Sequence, residues 1–290
     1  MRVRLGCRFD HDATEPTPAV VLVEPHLEAD GGVLSERWST EPPLETTSYD
    51  DLYGNRCRRL LLPQGGSSVI FDALVELSGE PDAVPTASEV QHRIEALPDE
   101  LLHWLLPSRL CESDMLYDRA WELFGRTRPG YERVQAVCDW IHENVEYGVT
   151  SVQTTATIEV FERRGGMCRD FAHLGVTLCR ALGIPARYVF GYMPDIGIPG
   201  PYPPMDFHAW FEVWLGSRWW TFDARFNVPR IGRVPIGRGR DAVDVAMVTT
   251  YGAATLRRMV VWADEADESV ALDDRSLAIA DSGGTHAGGG

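Results

Sequence analysis

The chain has 290 residues, 44% of them apolar, enough to bury a sizeable core in two domains. Its net charge of −16 comes without a concentrated basic stripe, which argues against a nucleic-acid partner because phosphate binding rests on clustered positive charge. The opening MRVRLGCRFDHDA lacks the unbroken apolar segment of a signal peptide, and no run of about 18 apolar residues occurs, so a cytoplasmic protein that crosses no membrane is expected. Six cysteines are too sparse for a disulfide framework and are expected to be free thiols.

Residues 1–10 alternate strictly, with Met1, Val3, Leu5, Cys7 and Phe9 on one face, the pattern of a half-buried strand. Short apolar runs follow at 18–27, 56–62 and 67–77, with Gly54-Asn55 and Gly65-Gly66 as turn signals. This spacing predicts an all-β sandwich over 1–85. The stretch SGEPDAVPTAS (78–88) is rich in Pro, Ser and acids and reads as a linker, after which a second domain is expected over 86–263. Residues 264–290 carry seven acids against Arg275 alone, a charge of −6, and read as an acidic disordered tail.

Helical spacing appears in ERVQAVCDWIHENV, where Val134, Val137, Cys138, Ile141 and Val145 make one core-facing stripe. A second helix begins at Cys168, carries a stripe of Phe171, Leu174, Gly175, Leu178, Cys179 and Leu182, and ends at Gly183 and Pro185. Cys138 and Cys179 fall in these stripes and read as core. Cys168 instead opens its helix directly after Gly165-Gly166, where unpaired N–H groups and the helix dipole lower a thiol's pKa and glycine lets a substrate approach the backbone. A small buried residue at a helix start fits this segment equally well.

The stretch DFHAWFEVWLGSRWWTFDAR (206–225) reads as a hairpin around Gly216-Ser217. Pairing outward from that turn sets Leu215 against Arg218, Trp214 against Trp219, Trp210 against Asp223 and His208 against Arg225. One face carries Ala209, Phe211, Val213, Leu215, Trp220 and Phe222. The other brings His208 and Asp223 within side-chain reach. A carboxylate fixes an imidazole's tautomer, and imidazolium beside a helix-start cysteine yields an activated thiolate.

With GGMCRDFAHL, DFHAWFEVWLG and RWWTFDAR in this order, the chain resembles the transglutaminase-like superfamily. LPSRLCESD (106–114), GIPARYVFGY (183–192) and GRGRDAVDVAM (237–247) are similar to its bacterial branch, which also carries an N-terminal β-domain. The resemblance implies an α+β fold: a papain-like core, with a helix bundle packed on an antiparallel sheet, preceded by the β-sandwich. It implies acyl transfer or hydrolysis on a peptide or small amide through a thioester, with Cys168 as nucleophile, His208 as base then acid, and Asp223 as orienting carboxylate. The oxyanion would be received at the Cys168 backbone, with Gln153 in SVQTTAT as a candidate second donor. Asp170 is expected to satisfy the first turn of its helix, and His173 to be structural.

No D-x-[DN]-x-[DN]-G loop occurs, so neither metal nor other cofactor is expected. Two other readings stand beside the enzyme: a non-catalytic peptide-binding protein on the same fold, and a metal site built from Cys168, His208 and Asp223, which would need a fourth ligand. All 27 basic side chains are arginine. Coding bias accounts for that, yet it also leaves the chain without a lysine amine to act as an acyl acceptor; a small primary amine is the acceptor considered. The oligomeric state is open.

Overall fold

A computed structural model describes residues 1–27, 31–267 and 272. In chain order its strands and helices are β1 (Arg2–Ala13), β2 (Thr17–Val21), β3 (Gly32–Glu41), β4 (Thr46–Asp50), β5 (Arg56–Leu62), β6 (Gly65–Glu76), α1 (Tyr117–Phe124), α2 (Tyr131–Asn144), β7 (Glu146–Tyr147), α3 (Thr157–Arg163), β8 (Gly165–Gly166), α4 (Cys168–Ala181), β9 (Ala186–Tyr192), β10 (His208–Leu215), β11 (Arg218–Phe222), β12 (Val234–Gly239), β13 (Val248–Thr250) and β14 (Ala254–Ala266). Among the described residues, no helix is long and apolar enough to cross a membrane.

The alternation at the N-terminus becomes β1, with Val3, Leu5, Cys7 and Phe9 all buried. Each such side chain stabilises the fold by about 1.5–3 kcal/mol relative to exposure. Two four-stranded antiparallel sheets form, ordered β14-β1-β6-β3 and β13-β2-β5-β4. Side chains of both contribute to one apolar cluster, among them Leu5 and Phe9 from one sheet and Leu60 and Leu62 from the other.

The polar strands β3 and β4 carried no sequence signal. Both are edge strands, largely exposed, so neither needs an apolar alternation.

The expected boundaries at 85/86 and 263/264 do not describe how the chain pairs. β14 runs the length of β1, from Arg2↔Ala266 to Ala13↔Ala254, and β13 extends the second sheet against β2. Residues 248–266 thus join the N-terminal sheets, because β1 and β2 would otherwise each leave an unpaired edge. The tail expected from 264 begins inside β14, and its residues from 268 onward lie outside the described residues, apart from 272.

In the second half, α4 packs against α1, α2 and α3 and against β9 and β10 of a sheet ordered β11-β10-β9-β12. The α2 stripe is buried as expected. The α4 stripe proves too narrow a description, since every residue from Asp170 to Ala181 is buried. Its polar members are therefore bonded internally: Thr177 Oγ1 donates to Thr157 Oγ1 (3.1 Å), and Arg180 Nη2 donates to the Arg240 carbonyl (2.8 Å).

The two halves are joined by packing. The Tyr192 hydroxyl donates to the Val23 carbonyl (3.0 Å), and Phe9 of β1 meets Phe207 at 6.2 Å between ring centroids. Phe207 is also packed by Phe190 and Tyr192, and it immediately precedes His208. The β-sandwich thus buttresses the start of β10.

Candidate active site

The approach to Cys168 is built from close backbone contacts. β7 and β8 pair in parallel, Glu146 against Gly165 and Tyr147 against Gly166, which sets Tyr147 beside the start of α4. A Cβ at Gly165 would lie 2.7 Å from Val149, and one at Gly166 2.7 Å from Asp170. The glycine pair is therefore required by internal packing, a different reason from the substrate approach expected from sequence. Asp170 Oδ2 accepts the Met167 N–H (2.8 Å) and the Ser151 hydroxyl, the first-turn role expected of it. The backbone N–H groups of Cys168 and Arg169 donate to no acceptor among the described residues, leaving two donors open at the helix start.

His208 opens β10, paired with Gly191 of β9. The β10–β11 hairpin keeps the expected register from Leu215↔Arg218 to Phe211↔Phe222, and there the ladder stops. The expected pairs Trp210–Asp223 and His208–Arg225 do not form, because the chain after Phe222 turns: Asp223 Oδ1 accepts the N–H groups of Arg225 (3.1 Å) and Phe226 (3.4 Å). The turn still delivers the carboxylate to the imidazole. His208 Nε2–H donates to Asp223 Oδ2 at 2.7 Å. With Nε2 so engaged, Nδ1 is the ring nitrogen left for Cys168.

Asp223 is held from a second direction as well. Arg233 donates to Asp223 Oδ2 from Nη1 and Nη2, each at 3.2 Å, and its Nε reaches Asp82 Oδ2 at 3.1 Å. Asp82 lies in the stretch that reads as a linker. That stretch is anchored: Pro81 bridges Ile231, and Asp82 also accepts the Arg230 N–H (3.0 Å).

These contacts set the protonation states. For Cys168, burial pushes the thiol up, but the His208 hydrogen bond and charge, the Ala209 N–H and the Arg225 guanidinium together outweigh it, and the thiol lies below its usual value. For His208, burial disfavours the cation, while the Asp223 carboxylate and the Cys168 sulfur more than restore it, so its pKa is raised. Burial likewise opposes the Asp223 anion, yet His208, Arg233 and the Phe226 N–H hold it well below the carboxylate range. All three shifts run toward thiolate, imidazolium and carboxylate. Cys168 is partly exposed while the other five cysteines are buried, and burial drives the Cys7 and Cys111 thiols up to about 12.

Of the residues singled out in the sequence, Cys168, His208 and Asp223 come together. Gln153 is exposed in the turn after Val152, and among the described residues no hydrogen bond joins it to the three. His173 is buried against Tyr188 and accepts the Ala242 N–H at Nε2 (3.0 Å); burial chiefly lowers its pKa to about 4, so it is a neutral structural group. Among the described residues, no group of three or more His, Cys, Asp or Glu side chains is placed to hold a metal ion. The sequence reading missed Arg233, Asp82 and Tyr147, which reach the site through loops or a two-residue strand and lack any periodic signal.

A helix-start cysteine facing a strand histidine that is itself bonded to a carboxylate is the arrangement of a papain-like thiol site. A family model, that of the transglutaminase-like superfamily, matches residues 118–224. A solved structure of a candidate cysteine protease from Cytophaga hutchinsonii is 32% identical, with a TM-score of 0.83 over 93% of this chain and 92% of that one. An uncharacterised protein of Mycobacterium leprae is 26% identical over 74% of this chain and 78% of its own length. One of Mycobacterium tuberculosis is 27% identical over 73% and 74%. The chain belongs to the transglutaminase-like superfamily, with the fold of its cysteine-protease-like members and their additional β-domain.

Proposed function

We propose that the protein is a thiol-dependent enzyme that cleaves or transfers the acyl group of a peptide or small amide through a thioester on Cys168. The observation that carries this reading is the partly exposed Cys168 at the start of α4, its thiol lowered by a histidine that is bonded to a buried aspartate. The Cys168 thiolate attacks the amide carbonyl carbon, forming a C–S bond, while the carbonyl oxygen gains charge beside the open N–H groups of Cys168 and Arg169. His208 gives its Nδ1 proton to the amide nitrogen as the C–N bond breaks and the amine departs. Water or a small primary amine then attacks the thioester, His208 takes the incoming proton, and the C–S bond breaks to return the thiolate. Asp223 keeps the imidazole oriented and supports its charge. The six free cysteines favour a reducing, cytoplasmic setting.

The test is intact-mass analysis of the protein incubated with a panel of peptide and small amides, with and without excess primary amine, beside Cys168→Ala. An acyl adduct on Cys168, absent in the variant, is expected; free acid as product marks a hydrolase and amine incorporation a transferase. No Cys168-dependent product in either condition would instead favour a peptide-binding protein on the same fold.

A further inference from the structure

We propose that Arg225 forms a carboxylate-binding subsite beside Cys168, so that the acyl donor carries a negative charge close to the amide under attack. The proposal rests on Cys168 being the nucleophile and goes on to name the substrate class. Arg225 follows the turn residue Ala224, where the family match ends. Its Nη1 lies 3.4 Å from His208 Nδ1, the nitrogen that serves Cys168, and its charge contributes to lowering the Cys168 thiol. Two rings lie against its guanidinium, Tyr147 at 3.8 Å and Phe226 at 4.5 Å from their centroids. These hold the planar group without using its N–H edges. Arg225 makes no ion pair among the described residues, although the chain is rich in carboxylates and Arg233, close by on the same aspartate, is paired twice.

A guanidinium has five N–H donors, and those of Arg225 meet no carboxylate among the described residues: its Nη1 lies 3.4 Å from His208 Nδ1, a contact that is no hydrogen bond while that nitrogen carries its proton. That leaves a fork suited to bidentate binding of a carboxylate. The half-exposed Tyr147 and partly exposed Cys168 keep this edge accessible. The helix-start N–H groups meet the transient charge on the carbonyl oxygen, so a fixed cation 3.4 Å from the imidazole is free for a permanent anion. A carboxylate on Arg225 would lie within roughly 6–7 Å of Nδ1, the sum of that 3.4 Å contact and one hydrogen-bond length. That is the reach of about two extended residues from the scissile amide. Because the whole chain carries −16, attraction of an acidic substrate is local to this edge and no long-range steering contributes.

The test compares alkylation of Cys168 by iodoacetate and by its neutral isostere iodoacetamide, in wild type, Arg225→Gln and Arg225→Lys. In both reactions the thiolate forms an S–C bond and iodide leaves. Any change in thiol pKa cancels in the rate ratio, which therefore reports affinity for the carboxylate. The wild-type ratio should exceed that of free cysteine by roughly tenfold, the worth of one charge-assisted hydrogen bond. The iodoacetate rate should also saturate with concentration. Arg225→Gln should lose the preference while iodoacetamide still labels Cys168 ahead of the five buried cysteines, the selectivity of a folded chain, and Arg225→Lys should keep part of the preference. A ratio unchanged by Arg225→Gln overturns the subsite and leaves the thiol chemistry standing. A wild-type Cys168 unreactive toward both reagents overturns the thiol chemistry, and the subsite with it.

Discussion

Arg233 and His208 meet on one oxygen of Asp223: Oδ2 accepts His208 Nε2–H at 2.7 Å and two guanidinium N–H groups of Arg233 at 3.2 Å. The Arg233 and Asp223 side chains are about equally buried, at 5% and 4% exposure. Breaking one side of a buried pair leaves an uncompensated charge, and the cost is about 3–5 kcal/mol. In Arg233→Gln the carboxylate keeps His208 as partner, so the expected loss in chemical denaturation is smaller, about 1.5–3 kcal/mol, the worth of a hydrogen bond to a charged group. Because Arg233 helps hold the Asp223 carboxyl low, its loss raises that pKa, and the acid limb of the Cys168 alkylation profile should move to higher pH. A variant with unchanged stability and an unchanged acid limb would remove Arg233 from any positioning role.

Iodoacetamide should label Cys168 well before Cys7, Cys57, Cys111, Cys138 and Cys179, since thiolate character and access set the rate. Peptide mapping after timed labelling reads this directly. His208→Ala removes the hydrogen bond and charge that lower the Cys168 thiol, so reactivity should then require higher pH. Equal labelling of all six cysteines in the folded protein would contradict the assignment.

Asp223→Asn is expected to cut thioester turnover by about 10³–10⁴-fold, because an amide neither stabilises imidazolium nor selects the required tautomer. The turn after β11 should survive, since an amide oxygen still accepts the Arg225 and Phe226 N–H groups. Circular dichroism beside single-turnover mass spectrometry separates these effects. Near-native turnover would mean that His208 is oriented by some other group.

Gly175 on α4 faces Phe211 of β10, and an added Cβ would sit 2.4 Å from the ring. Gly175→Ala should cost about 1–3 kcal/mol by overpacking, despite alanine's better helix propensity. Because Phe211 lies on the strand that begins at His208, alkylation of Cys168 should slow in the same variant. Thermal unfolding and labelling rates check both; a stabilised variant would contradict the packing of α4 on β10.

Much of the site was legible because it rests on short-range rules. A two-residue turn at Gly216-Ser217 dictates the register of the pairs nearest to it, from Leu215 against Arg218 to Phe211 against Phe222. That register failed past Phe222, where hydrogen bonds from Asp223 to its own following backbone replace the ladder. The start of α4 was likewise local, written in the glycine pair and the apolar stripe behind Cys168.

Sequence by itself thus determined β1, β2, β5 and β6, the helices α2 and α4, the β10–β11 hairpin, the core faces of β1 and α2, and three side chains that the fold brings together. The tertiary structure alone decided which distant segments close the sheets and which cations serve the site. β14 completes a sheet with β1 from the far end of the chain, and Asp82, in a stretch that reads as a linker, holds the Arg233 that holds Asp223. The physical reason is that periodicity records which face of a segment is buried. The partner across that face, and the charge that meets a buried carboxylate, are selected by packing between segments that share no local pattern.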